Sequence, residues 1–127
     1  MEEVLEGKIL IVDDDPMTRA LYSRSLARRG HSVVCADSGF NALALLQRQR
    51  FDLVLLDIKM PKLSGVHVLE VSASFPSKPS FVILSATESE EQMARCYELG
   101  AREVLLKPIA GPALWQAVER ELRSRRE

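Results

Sequence analysis

Five residues stand where short apolar runs give way to polar sequence. They are Asp13 and Asp14 after ILIV (Ile9 to Val12), Asp57 after LVLL (Leu53 to Leu56), Ser85 after FVIL (Phe81 to Leu84) and Lys107 after VLL (Val104 to Leu106). Three carboxylates brought together repel, each raising the pKa of the others. A hard divalent cation relieves that repulsion, and Mg²⁺ takes one or two carboxylates, keeps several waters and favours phosphate ligands. Ser85 can donate a hydrogen bond to a phosphoryl oxygen, and Lys107 can neutralise another. The set holds the parts needed for phosphoryl transfer: a carboxylate nucleophile, a metal, a cation and a hydroxyl donor. Each residue taken singly has a plainer reading: an acid after a strand as a loop or capping residue, Ser85 as a turn serine, Lys107 as a surface lysine. Their joint placement at four strand ends is what points to a site.

Asp15 takes a different role from its two neighbours. It precedes Pro16, and proline is favoured at the first position of a helix. Asp15 then falls at the N-cap, where its carboxylate can accept from a free backbone N–H.

Something must bring these strand ends together. Besides the runs already named, VVCA (Val33 to Ala36) makes a fifth. Each run is too short for a helix and too continuous for a half-exposed strand, which predicts parallel strands covered on both faces. Helical stripes lie between them: Leu114, Ala117, Val118 and Leu122 in one, Ala42, Leu43 and Leu46 in another, Met93, Tyr97 and Gly100 in a looser third. The segment from Thr18 to Arg29 is patchier, with Leu21, Tyr22 and Leu26 as its apolar members. A turn over Pro61 to Gly65 leads into a short helix over Val66 to Ser74. Gly30 and Gly100 fall where helix C-caps belong. Strands and helices therefore alternate, predicting an α/β, doubly wound, five-stranded parallel sheet with helices on both faces. Such sheets bind ligands outside the carboxyl ends of the strands, where the strand order reverses. If the first and third strands are neighbours, Asp13, Asp14 and Asp57 converge there.

The 127 residues fit a single domain, with a core from about 8 to 123. A chain of this size buries roughly two-thirds of its unfolded surface and needs no disulfide or structural metal. Apolar residues make up 46% and charged residues 28%, with a net charge of −1, so no global field draws the chain to nucleic acid or anionic lipid. Its apolar runs fall far short of the ~18 residues that span a bilayer. The start, MEEVLEG, is acidic and does not read as a signal peptide. Cys35 and Cys96 have no metal-ligand spacing and read as reduced core thiols of a cytoplasmic protein.

The pieces ILIVDDDP, SGFNALALL, LVLLDIKMPKLSG, VILSAT and GAREVLLKP, in that order, resemble the receiver domain of two-component response regulators. The resemblance runs from Lys8 to near Arg123. It implies a flavodoxin-like fold with strand order 2-1-3-4-5, an order known for that family's fold and not something periodicity shows. It implies that Asp57 accepts a phosphoryl group from a phosphohistidine on a sensor histidine kinase or phosphotransfer protein. Asp14, Asp57 and the backbone carbonyl of Lys59 would ligate Mg²⁺ (or Mn²⁺), with Asp13 acting mainly through water. Ser85 resembles the hydroxyl that moves toward the phosphoryl group, Lys107 the lysine that pairs with it, and the Lys107–Pro108 peptide is expected to be cis. An effector domain or output protein is the implied partner, and the face formed by the fourth helix, fifth strand and fifth helix is an implied route to a homodimer. On this reading the chain is no enzyme beyond its own phosphorylation and dephosphorylation. The chain closes on ELRSRRE, which reads as a stand-alone receiver or one cut from a longer protein.

Three positions depart from the usual receiver pattern. Many receivers carry an aromatic residue three places before the lysine, where this chain has Val104; a short β-branched side chain cannot swing like a ring. A change at Asp57 is then expected to stay near the loops after strands 1, 3 and 4 unless another residue substitutes, Tyr97 being the nearest in sequence. Phe40–Asn41 stands where many receivers carry an acid or alanine. Position 58 is Ile58, so the single tryptophan, Trp115, lies away from the expected phosphoacceptor.

Other functions fit less well. A haloacid-dehalogenase-type phosphatase also forms an aspartyl phosphate but needs a second acid two residues on, where this chain has Lys59. A flavodoxin-like cofactor binder needs a hydroxyl- and glycine-rich loop after the first strand, and DDDPMTR repels phosphate without a metal. A degenerate receiver serving only as a binding platform fits less well because no essential element of the chemistry is missing, and Val104 is the one feature that keeps that reading open.

Overall fold

The computed structural model describes residues 5–86 and 89–126. Thr87 and Glu88, in the segment after the fourth strand expected to move with Ser85, lie outside the described residues, as do the first four residues of MEEVLEG. Strands and helices alternate through the chain: β1 (Lys8–Val12), α1 (Pro16–Ala27), β2 (Ser32–Ala36), α2 (Gly39–Arg48), β3 (Leu53–Asp57), α3 (Gly65–Ser72), β4 (Ser80–Ser85), α4 (Glu90–Glu98), β5 (Glu103–Leu106) and α5 (Gly111–Arg126). The sheet order is β2-β1-β3-β4-β5 with every pair parallel, as expected.

Side chains alternate across a strand, so the continuous apolar runs feed two cores. Leu10, Val12, Val54, Leu56 and Ile83 pack with Ala42, Val68, Leu69 and Cys96 on the α2–α3–α4 side. Ile9, Ile11, Leu55, Val82 and Leu84 pack with Tyr22, Leu26, Leu114, Val118 and Leu122 on the α1–α5 side. At roughly 1.5–3 kcal/mol for each large aliphatic side chain fully buried, this packing drives the fold.

Coverage on both faces holds for the three central strands only. β2 and β5 are the edges, and there Val33, Val34, Val104 and Leu105 are half-buried while Leu106 is exposed. Cys35, expected in the core, is exposed on β2, whereas Cys96 is buried. An edge strand has a neighbour on one side alone, so α1 and α2 reach over only part of β2. Two helical stripes are also narrower than expected. Leu21 of α1 and Tyr97 of α4 are exposed, leaving Tyr22, Leu26 and Cys96 as the buried members.

The helix ends follow local chemistry. Asp15 caps α1 in extended backbone, accepting from Met17 N at 3.3 Å and from the Thr18 hydroxyl at 2.6 Å, with Pro16 in the first turn. Gly30 and Gly100 follow α1 and α4 with φ of 92° and 104°, a left-handed conformation that strains any residue with a Cβ. The Lys107–Pro108 peptide is cis.

Register sets the site. Val12 lies beside Leu56, so Asp13 and Asp57 follow at one level; Asp57 pairs with Leu84, and Ser85 pairs with Leu106, just before Lys107.

Candidate functional site

The carboxyl ends of β1, β3, β4 and β5 open on one side of the sheet. There, ligating oxygens of Asp13, Asp14 and Asp57 all lie within 4.8 Å of one another. Asp13 is fully buried, Asp57 is buried as the last residue of β3, and Asp14 faces solvent. Lys107 reaches across the cluster. Its Nζ donates to Asp13 Oδ2 at 2.8 Å and lies 3.5 Å from Asp57 Oδ1. Asp13 Oδ1 accepts from the Asp15 backbone N–H at 2.9 Å, so both oxygens of Asp13 are engaged. Ser85 ends β4, buried beside these groups in the sheet register.

Electrostatics follow the crowding. The Asp57 carboxyl is pushed up from the ordinary 3.8 to about 6, chiefly by burial and then by the charge of Asp13, with a smaller push from Asp14; Lys107 and a bond from the Lys59 backbone N–H pull the other way. For Lys107, burial alone would lower the ammonium pKa, but the bond to Asp13 and the charges of Asp57 and Asp13 outweigh it and hold it above the ordinary value. Lys107 thus stays charged throughout the physiological range. Three hard oxygen donors with an excess of negative charge are the donor set a divalent cation takes. The cluster fits such an ion, and one cation from Lys107 does not cancel three carboxylates.

The loop after β3 is shaped to hold Asp57. Gly65, the first residue of α3, donates its N–H to Ile58 O at 2.9 Å. A Cβ at Gly65 would press on the Asp57 carbonyl oxygen and lie 2.9 Å from Ile58 Cα. Lys62 carries φ of 70° without being glycine, a conformation that costs roughly 1–2 kcal/mol. Lys59 sits in the same loop with its side chain exposed.

All six residues singled out from sequence, Asp13, Asp14, Asp57, Lys59, Ser85 and Lys107, fall at this end of the sheet. Trp115 does not; it packs with the α1–α5 core, and the Arg29 guanidinium stacks 3.8 Å over its ring. Two neighbours of the site escaped the sequence reading. Arg19 donates to the backbone carbonyl of Asp13 at 2.7 Å, and its signal was there, since it stands three residues before Tyr22 on the inward stripe of α1. The close approach of α3 to Asp57 was hidden, because only the assembled backbone shows why position 65 has no side chain. The departure at Val104 has a structural counterpart: the Val104 N–H donates to the phenol oxygen of Tyr97 at 3.2 Å, tying β5 to α4.

Residues 9–119 match the response regulator receiver domain family, and the chain belongs to that family. The Regulator of RpoS from Escherichia coli K12 is 36% identical over 110 residues, 86% of this chain and 33% of that protein. A CheY-like receiver domain protein from Methanospirillum hungatei superposes with a TM-score of 0.90 at 26% identity, over 94% of this chain and 95% of that one. The response regulator TrrA of Thermotoga maritima, solved in complex with Mg²⁺–BeF, gives a TM-score of 0.80 at 28% identity, over 90% of this chain and 97% of that one. The chain spans 25% to 45% of the length of curated relatives such as GlrR, ZraR and MprA. The family is a signalling domain of two-component type. Among the described residues no helix is long and apolar enough to cross a membrane.

Proposed function

We propose that Asp57 is the phosphoacceptor, taking a phosphoryl group from a phosphohistidine of a sensor histidine kinase or phosphotransfer protein. The observation that carries this reading is the convergence of three carboxylates at the strand ends, two of them, Asp13 and Asp57, paired with Lys107. An Asp57 oxygen attacks phosphorus, an acyl phosphate P–O bond forms, and the P–N bond breaks with its electron pair returning to the imidazole. Asp57 must be ionised to attack, and with its pKa at about 6 it is so at neutral pH. Lys107, already 3.5 Å from Asp57 Oδ1, meets an oxygen of the incoming group, and the Ser85 hydroxyl donates to another. Asp14, Asp57 and the Lys59 carbonyl would hold Mg²⁺ or Mn²⁺, with Asp13 acting mainly through water, and the chemistry such an ion would supply there is neutralisation of charge on the transferred group. The phosphorylated domain then acts in the cytoplasm on an effector domain or output protein, and the α4–β5–α5 face is the surface for self-association.

Incubation with acetyl phosphate and Mg²⁺, followed by intact mass measurement, tests the reading. One added phosphoryl group is expected, and none in the presence of chelator or in Asp57→Asn. A full shift in Asp57→Asn would place the nucleophile elsewhere.

A further inference from the structure

The corner between β1 and α1 carries a cation that the chemistry above does not use. Tyr22 and Leu26 are the residues α1 buries. Continued one step toward the helix start at helical spacing, their stripe reaches Arg19, half-buried at the end of the sheet where the acids gather. An arginine leading an inward stripe needs an acceptor, and Nη1 finds the Asp13 carbonyl at 2.7 Å. Its own backbone N–H donates to Asp15 O at 3.1 Å, closing the first turn of α1.

Asp13 is consequently held at four points. Its N–H donates to Ala36 O at 3.2 Å, Oδ1 accepts from Asp15 N at 2.9 Å, Oδ2 accepts from Lys107 at 2.8 Å, and its carbonyl accepts from Arg19. That carbonyl belongs to the peptide leading into Asp14, which is exposed and whose carboxylate must be aimed by its backbone. We propose that Arg19 is a positioning residue for the divalent cation: by fixing the Asp13–Asp14 peptide it holds the Asp14 carboxylate toward Asp57. The inference rests on the reading of the acid cluster as the Mg²⁺ site.

Charge and position make opposite demands on Arg19, which makes the idea testable. As a bare positive charge beside three carboxylates, Arg19 opposes a second cation, and removing it should tighten Mg²⁺ binding. As a positioning residue, its removal should loosen binding. Losing a group that orients a metal ligand commonly costs 10- to 100-fold in affinity.

The experiment is titration of the whole chain with MgCl₂ by calorimetry near neutral pH, with folding verified by circular dichroism. Arg19→Met keeps length and helix propensity while removing charge and donors; Arg19→Lys keeps the charge and loses the planar fork. The dissociation constant should rise about tenfold in Arg19→Met and by a smaller factor in Arg19→Lys. Unchanged or tighter binding in Arg19→Met overturns the proposal. If Arg19→Met does not fold, Arg19→Lys decides: weaker binding supports positioning, and wild-type affinity overturns it. Asp14→Ala is the control for the site itself. If the wild type gives no Mg²⁺ signal, or Asp14→Ala keeps it, the metal-site reading fails, and the role of Arg19 fails with it. Normal loss in Asp14→Ala alongside wild-type affinity in both Arg19 variants defeats the Arg19 inference alone.

Discussion

Replacing Asp57 by asparagine should stabilise the metal-free protein at neutral pH, although it removes the central group of the site. The folded state holds the Asp57 proton up to about pH 6, whereas an unfolded aspartate releases it near 3.8. Between those values the native state binds more protons than the unfolded one, so stability falls as pH rises from about 4 to about 6. At about 1.36 kcal/mol per pH unit the full loss is about 3 kcal/mol, and screening at the open mouth of the site reduces it to about 1–3. Asparagine keeps the shape and removes the charge. The ion pair it sacrifices is the longer one, 3.5 Å against the 2.8 Å bond that Lys107 keeps with Asp13. Urea unfolding in chelator should therefore show Asp57→Asn more stable by about 1–3 kcal/mol near neutral pH, a melting rise of roughly 3–12 °C for a chain of this size. Near pH 4 the difference should vanish. Mg²⁺ should offset or reverse that difference, since a cation at a hundredfold excess over its dissociation constant adds about 2.7 kcal/mol to the protein that binds it. A variant less stable than wild type at neutral pH, or equally favoured at both pH values, refutes the argument that burial and then like charge penalise the Asp57 carboxylate.

Three other outcomes follow from the same geometry. Asp14→Ala should abolish the Mg²⁺-dependent rise in melting temperature, and a surviving rise would remove Asp14 from the ligand set. Gly65→Ala should destabilise by about 2 kcal/mol or more, because the new methyl meets backbone atoms of Asp57 and Ile58 that can only yield by moving the loop; a loss under about 0.5 kcal/mol in chemical denaturation would show the approach is less tight. Tyr97→Phe should cost about 0.5–1 kcal/mol and speed hydrogen exchange at the Val104 amide, whose donor it leaves to water; unchanged exchange would mean the phenol does not hold β5.

Much of this could be read from the chain before folding. ILIV, LVLL and FVIL announce the three central strands because both faces of each are covered, and register then carries Asp13, Asp57 and Ser85 to one end. Asp15–Pro16 announces its helix through capping chemistry that is local in sequence. The edges were less legible: VVCA and VLL look as continuous as the central runs, and nothing local says that Cys35 faces solvent on an outer strand. Pairings between distant elements were hidden for the same reason. Lys107 bonds Asp13 across 94 residues of sequence, and Gly65 is needed only because α3 crosses the Asp57 backbone. Tyr97 was the nearest aromatic to the gap at Val104, but that its oxygen caps the Val104 N–H depends on how α4 lies against β5.

The central claim is that Asp57 carries the phosphoryl group, and chemical trapping locates it most directly. An acyl phosphate is reduced by borohydride, converting the aspartate that bears it to homoserine. After incubation with acetyl phosphate and Mg²⁺, reduction and proteolysis, peptide sequencing by mass spectrometry should find homoserine at position 57 and nowhere else. Homoserine at Asp13 or Asp14, or none at any aspartate of a protein that has gained a phosphoryl group, would contradict it.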